Sequence, residues 1–191
     1  MSAEIRRYWL VLALSGFILI LEAVGGWFSG SLALFSDAVH VFADIIAIAI
    51  SLIVAYTVKN NQGLENKIRQ VGARRNGILL ALLSIWIFWE ALNRIWKPQE
   101  IQFGIMFWVA VSGAILNYCQ HKILGHATHE ERHVTHQALD WHILSDLIQS
   151  LAVILASVLI YITGQTVIDS VLSIIVALVM FRWSIKLLQS K

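Results

Sequence analysis

The sequence predicts an all-α integral membrane bundle of six transmembrane helices with both termini in the cytoplasm. Three observations carry that prediction. The 191 residues are 58% hydrophobic and only 14% charged, with a mean hydropathy of +0.72, whereas a soluble domain is nearer half apolar and a quarter charged. A single proline, Pro98, leaves helices free to run without interruption. Six stretches are long and apolar enough to meet the roughly 20 residues a helix needs to span a bilayer.

Those spans lie near 8–28, 32–57, 76–96, 103–122, 137–162 and 167–188, and together they make one domain over 1–191. The first follows Arg6-Arg7 and ends at small residues, as a signal peptide would, but Glu22 inside its apolar run argues for a retained helix. The second is continuously apolar apart from a few polar positions. Between it and the third lies the polar run KNNQGLENKIRQVGARRNG, and KPQE separates the third from the fourth. The fifth follows the His-rich stretch HKILGHATHEERHVTH and is diluted at its start by Asp140, His142 and Asp146. Thr163-Gly164-Gln165 separates it from the sixth, after which only a few residues remain, so no C-terminal soluble domain is expected.

Charge sets the orientation. With the N-terminus inside, twelve of the fourteen Lys and Arg residues fall in inner segments, and only Arg94 and Lys97 fall outside. The positive-inside rule then assigns the His-rich loop to the cytoplasm as well. The net charge of +2 is too small to suggest a nucleic-acid partner, and the single Cys119 excludes an internal disulfide framework.

The second span contains SDAVHVFAD, residues 36–44, which puts three ionisable groups into apolar surroundings. Asp37, His40, Asp44 and Ser51 fall on one helical face, which must look into the bundle because lipid would not tolerate it. His40 and Asp44, at i and i+4, can reach a common point. The fifth span repeats the pattern in ALDWHILSDLIQS with His142 and Asp146, and Gln149 continues that face. Two imidazoles and two carboxylates suit a tetrahedral divalent metal, Zn²⁺ foremost, and the lack of a thiolate argues against Cu⁺. Counted from the outer helix ends, His142 and Asp146 come out deeper than His40 and Asp44.

The segment EAVGGWFSGSLALFSDAVHVFADIIAIAIS resembles the first two helices of the cation diffusion facilitators. RNGILLALLSIWIFWEALNRI, DWHILSDLIQSLAVILA and VIDSVLSIIVALVMFRWSIKLL are similar to later helices of that family. The resemblance implies a proton-coupled exporter of divalent metals in the cell membrane, usually a homodimer, with His40, Asp44, His142 and Asp146 as the transport site. Zn²⁺ would be substrate rather than prosthetic group, with Cd²⁺, Co²⁺ or Fe²⁺ as further cargo, and no enzymatic activity is implied. Two His with two Asp resembles the zinc-preferring members. Family members commonly continue into a cytoplasmic metal-sensing domain, which this chain does not show after its sixth span. Some relatives also bind metal between spans two and three through Asp and His, but residues 58–75 contain neither.

The remaining polar residues carry plainer readings. Glu22 is expected to face the bundle, either as a proton relay or ligand-orienting group or as a structural hydrogen-bonder. Asp169 starts the sixth helix, where a carboxylate suits the helix dipole. Glu90 is expected to pair with Arg94 at i+4. Trp9, Trp27, Trp96 and Trp183 sit where aromatic belts form. HEERH at 129–133 matches the HExxH of zinc metalloproteases, but its short polar flanks and the lack of a third ligand make a membrane metalloprotease the weaker alternative. The loop with His121, His126, His129, His133 and His136 reads as a weak metal-collecting segment or as a merely solvated one. A passive channel would need a continuous wet pore rather than one four-ligand site.

Overall fold

The computed structural model describes the backbone of residues 3–57, 62–125 and 134–189, and the side chains of 9–46, 49, 70–123 and 143–189. It contains six helices: α1 (Ala3–Ser29), α2 (Leu32–Thr57), α3 (Gln62–Trp96), α4 (Phe103–Gly125), α5 (Val134–Thr163) and α6 (Val167–Gln189). Among the described residues, stretches in α1, α3, α4, α5 and α6 are long and apolar enough to cross a membrane. With α2 the most apolar of the six on average, the chain is a multi-pass membrane protein. The third helix is the one whose start differs most from the sequence pattern. It begins at Gln62 rather than near 76, because hydropathy marks where a helix enters lipid and not where it starts. The run from Gln62 to Arg75 contains no proline to stop it.

Two packing groups share α2. In one, α1, α2, α4 and α5 pack around the bundle interior; in the other, α3 and α6 form a close pair laid against α2, with α6 also touching α5. Leu32 and Ala43 of α2 meet Leu80, Ile87 and Ala91 of α3 and Val176, Ala177 and Met180 of α6. On its other side Ala33 and Leu34 meet Met106 and Ala110 of α4 and Val153, Ala156 and Ile160 of α5. Alanines are interleaved with larger aliphatic residues in these seams; because lipid is as apolar as leucine, close van der Waals packing must hold the helices together. At Gly26 an added Cβ would lie 2.8 Å from the backbone nitrogen of Phe35, and at Gly77 it would lie 3.1 Å from Leu187. The first approach requires glycine, and at the second a side chain would force its neighbours to give by a few tenths of an ångström. Large apolar side chains such as Trp27, Leu82, Leu155 and Ile162 cover the outside, which is the expected inversion for a surface facing lipid.

Three of the buried serines are handled locally. Ser36 donates to the carbonyl of Leu32 at 2.6 Å, Ser173 to Asp169 at 2.7 Å and Ser184 to Phe181 at 2.6 Å. Each hydroxyl is thereby satisfied within its own helix, where no water is available to do so.

The turn from α1 to α2 is built with the most detail. Gly30 has φ of +73°, and a Cβ there would sit 2.6 Å from the carbonyl oxygen of Glu100, so glycine is required twice over. Its own carbonyl accepts from Arg94 at 2.6 Å, and Arg94 also donates to Glu90 at 2.9 Å, so the expected Glu90–Arg94 pair is present. Ser31 caps α2 by accepting from the N–H of Leu34 at 3.1 Å. Asp169 does not serve only its own helix. Its carboxylate accepts from the Ser31 hydroxyl at 2.5 Å and from the N–H groups of Leu32 and Ala33 at 2.8 and 3.3 Å. The first turn of α2 is thus capped by a residue of α6, a long-range pairing that helix spacing alone does not reveal.

Candidate metal centre

α2 presents Asp37, His40 and Asp44 to the interior, and α5 answers with Asp146 and Gln149. Asp37 is fully buried and accepts a hydrogen bond from Gln149. His40 Nε2 lies 3.6 Å from a carboxylate oxygen of Asp44 on its own helix and 3.9 Å from one of Asp146 on α5. His40 and Asp146 are nearly buried, while Asp44 is partly open. Three of the four residues singled out by the HxxxD pattern therefore converge. The side chain of the fourth, His142, lies outside the described residues, and the others alone do not form a complete metal cage.

The cross-helix contacts fix the register. In an antiparallel pair, a step of three residues forward on one helix meets a step of three back on the other. The step from Asp37 with Gln149 to His40 with Asp146 obeys this rule. One further turn brings Asp44 level with position 142. Counted from the helix ends, the α5 pair came out deeper, but the contacts place the two pairs at one level. End-counting fails because helices of 26 and 30 residues do not begin and stop at matched heights.

The spacing suits a small cation. Zinc bonds to imidazole nitrogen and carboxylate oxygen are about 2.0–2.2 Å, so neighbouring tetrahedral ligands lie roughly 3.3–3.5 Å apart. Separations of 3.6 and 3.9 Å require only a few tenths of an ångström of closure. The surroundings hold the ring in place. Trp183 of α6 meets His40 edge-on, with centroids 6.5 Å apart and planes at 78°, and Lys186 lies 5.8 Å over the Trp183 ring. Trp183 thus borders the candidate site and is not simply a belt residue. Asn76 of α3 donates to the carbonyl of Ala43 at 3.1 Å, tying α3 to α2 beside Asp44. Neither contact has a short-range sequence signal, although a buried Asn at the edge of an apolar run was a visible hint.

Other polar features stand apart. A recess of about 490 Å³ lined by Glu90, Asn93, Arg94, Trp96, Lys97 and Gln99 occupies the opposite, α1–α2-turn end of α3 and includes none of the four residues. The HEERH segment and His126 lie outside the described residues, as do the side chains of His136, residues 58–69 and Asp140.

The description "cation efflux transmembrane domain" belongs to a family model that matches residues 8–190. A zinc transporter, ZitB, of Yersinia pestis is 32% identical over 189 residues, covering 96% of this chain and 60% of that protein. The ZitB of Escherichia coli strain K12 is 35% identical over 181 residues, 92% of this chain and 57% of its own length. A cadmium, cobalt and zinc/H(+)-K(+) antiporter of Bacillus subtilis is 31% identical over 170 residues, 86% of this chain and 54% of that protein. The chain spans a little over half the length of these relatives.

Proposed function

Because the chain belongs to the cation efflux family, we propose that it exports divalent metal cations, Zn²⁺ foremost, in exchange for protons. His40, Asp44, His142 and Asp146 would form the intramembrane site through which the metal passes. The observation that carries this reading is the meeting of His40 with both Asp44 and Asp146, from two helices, inside an otherwise apolar bundle. Intramembrane ionisable groups gathered around one point mark an ion pathway by default.

The chemistry follows from the donors. A divalent ion leaving water must recover its lost hydration from ligands, and two carboxylates supply the two negative charges that balance it. Two imidazoles supply nitrogen donors that favour zinc over magnesium or calcium. Metal and proton compete for the same lone pairs, so binding on the cytoplasmic side displaces protons. Acid on the other side returns them and expels the metal; imidazole, with an ordinary pKa of about 6.5, titrates in the range where this exchange is useful. Apart from the O–H and N–H bonds of the exchanged protons, such a carrier makes and breaks no covalent bond and requires no prosthetic group. Zinc and cadmium transport by relatives such as the B. subtilis antiporter supports a cargo range that extends to Cd²⁺ and Co²⁺. A homodimer fits the broad apolar outer face and the family resemblance.

The test is flux in proteoliposomes with a zinc-sensitive and a pH-sensitive dye read in parallel. An imposed pH gradient should drive Zn²⁺ uphill, and a zinc gradient should drive protons the other way. Zinc movement indifferent to the pH gradient would refute the exchange, and the absence of any movement would refute the transport reading.

A further inference from the structure

Glu22 of α1 is completely buried, and neither carboxylate oxygen has a hydrogen-bond partner among the described residues. It points at α4 where that helix has no side chain. A Cβ added to Gly113 would lie 2.8 Å from Glu22 Oε1 and 3.6 Å from the hydroxyl of Ser150 on α5. From there a row of buried polar groups follows the α1–α4–α5 seam. Asn117 donates to Ser150 Oγ at 3.3 Å. One turn further along α4, Gln120 donates to Ser15 Oγ and to the carbonyl of Val11, each at 3.0 Å. Gly113, Asn117 and Gln120 share one face of α4, and Ser15 and Glu22 share one face of α1. The row therefore runs from Glu22 toward the end of the bundle that carries the N-terminus. Buried polar side chains are costly in this setting and are not needed for packing, where alanine or leucine would serve.

The charged groups facing Glu22 are Asp37 from α2 and Asp146 from α5. Opposite it α4 offers Gly113, with its own ionisable residues Tyr118, Cys119, His121 and Lys122 all further toward the helix end. α2 also bears His40 and Asp44, and α5 bears His136, Asp140 and His142, whose side chains lie outside the described residues. Among the described residues no cation stands beside Glu22, so its charge is balanced there only when a proton sits on it or when a cation enters nearby.

We propose that Glu22 carries a proton that leaves when metal enters the neighbouring centre, and that the Ser150–Asn117–Gln120–Ser15 row leads this proton toward the N-terminal end. The inference rests on the proposed metal exchange and adds to it a proton site and a path distinct from the metal's own ligands. The step balances: the O–H bond of the Glu22 carboxyl breaks, water admitted along the polar row accepts the proton and carries it away, and the carboxylate left behind is compensated by the divalent ion. When the ion departs, a proton returns to the same oxygen.

The experiment measures protons released per zinc bound by the purified full-length chain, with a pH dye in weakly buffered solution and zinc affinity by calorimetry. In Glu22→Gln, zinc should still bind with an affinity within about threefold of the unmodified protein, while the release falls by about one proton per zinc. Asn117→Leu and Gln120→Leu should keep the full proton count but slow the release several-fold. Should Glu22→Gln not purify folded, Glu22→Asp carries the test. It keeps the acid but withdraws it from Gly113, so the count holds while release slows, and an unchanged rate overturns the proposal. Normal zinc binding with an unchanged count in Glu22→Gln overturns the role of Glu22 and leaves the metal centre standing. An unmodified protein that binds no zinc overturns the metal centre itself, and this inference with it.

Discussion

Asp169 and Glu22 are both almost inaccessible carboxylates in membrane helices, yet their surroundings are opposite. Asp169 accepts three hydrogen bonds and closes the first turn of α2. Glu22 accepts none from the described residues, abuts Gly113 of α4, and has the carboxylates of Asp37 and Asp146 as its charged neighbours. The same functional group is thus a structural clasp at one end of the bundle and an unsettled charge near its middle. The difference teaches how to separate the two roles: a structural acid has its donors already assembled, whereas a working acid leaves capacity for something that comes and goes. Asp44 and Asp146 differ from both, since each lies within 4 Å of the His40 ring nitrogen, at 3.6 and 3.9 Å.

The sharpest way to break the comparison is to neutralise an acid of the candidate metal centre and, separately, the structural one. Asp146→Asn should lower zinc flux in vesicles by at least about 100-fold, since a three-ligand site of reduced charge does not offset the dehydration of a divalent ion. Its thermal stability should hold or rise, because a crowded negative charge has been removed. Asp169→Ala should do the reverse, with a loss of stability of about 2–4 kcal/mol from the orphaned N–H and hydroxyl groups, measured by thermal unfolding in detergent. Flux per folded molecule should change far less. Equal destabilisation by both substitutions would collapse the distinction.

Two smaller effects sharpen it. His40→Asp keeps four donors but exchanges a borderline nitrogen for a hard oxygen, so Zn²⁺ transport should persist with a several-fold rise in the ratio of Cd²⁺ to Zn²⁺ flux. An unmoved ratio would mean that His40 does not set selectivity. Asp37→Asn should be the mildest, with less than about a tenfold loss of flux, since an amide oxygen can still accept from Gln149. A loss as large as that of Asp146→Asn would extend the metal centre to Asp37.

Much of this was legible in the chain because two periodicities are strong in it. Long apolar runs broken by glycine and polar turns announce the helices, and ionisable residues at i and i+4 within such runs announce the interior face. The inward placement of His40, Asp44 and Asp146 was legible by that rule, and so was the orientation of Glu22 toward the bundle. What spacing along one helix does not encode is pairing between helices. The cap that Asp169 gives α2, the Asn76 bond to Ala43, the edge contact of Trp183 with His40 and the common level of the two HxxxD motifs all join residues remote in sequence. Helix α3 shows the other limit, since its polar first turns carry no hydropathy signal.

The clasp between Asp169 and the start of α2 also has a mechanical meaning. It pins one end of a 26-residue rod, about 39 Å long at 1.5 Å per residue; the side chains at the far end lie outside the described residues, apart from position 49. A tilt of about 10° about such a pivot displaces the far end by roughly 7 Å but displaces His40 and Asp44, about 12–18 Å from the pin, by only about 2–3 Å. If α2 tilts about this pin, leverage of this kind would open one end of the bundle while His40 and Asp44 shift by little more than the length of a coordination bond. A crosslink that locks the far end of α2 to α5 should therefore stop turnover while leaving metal affinity almost untouched.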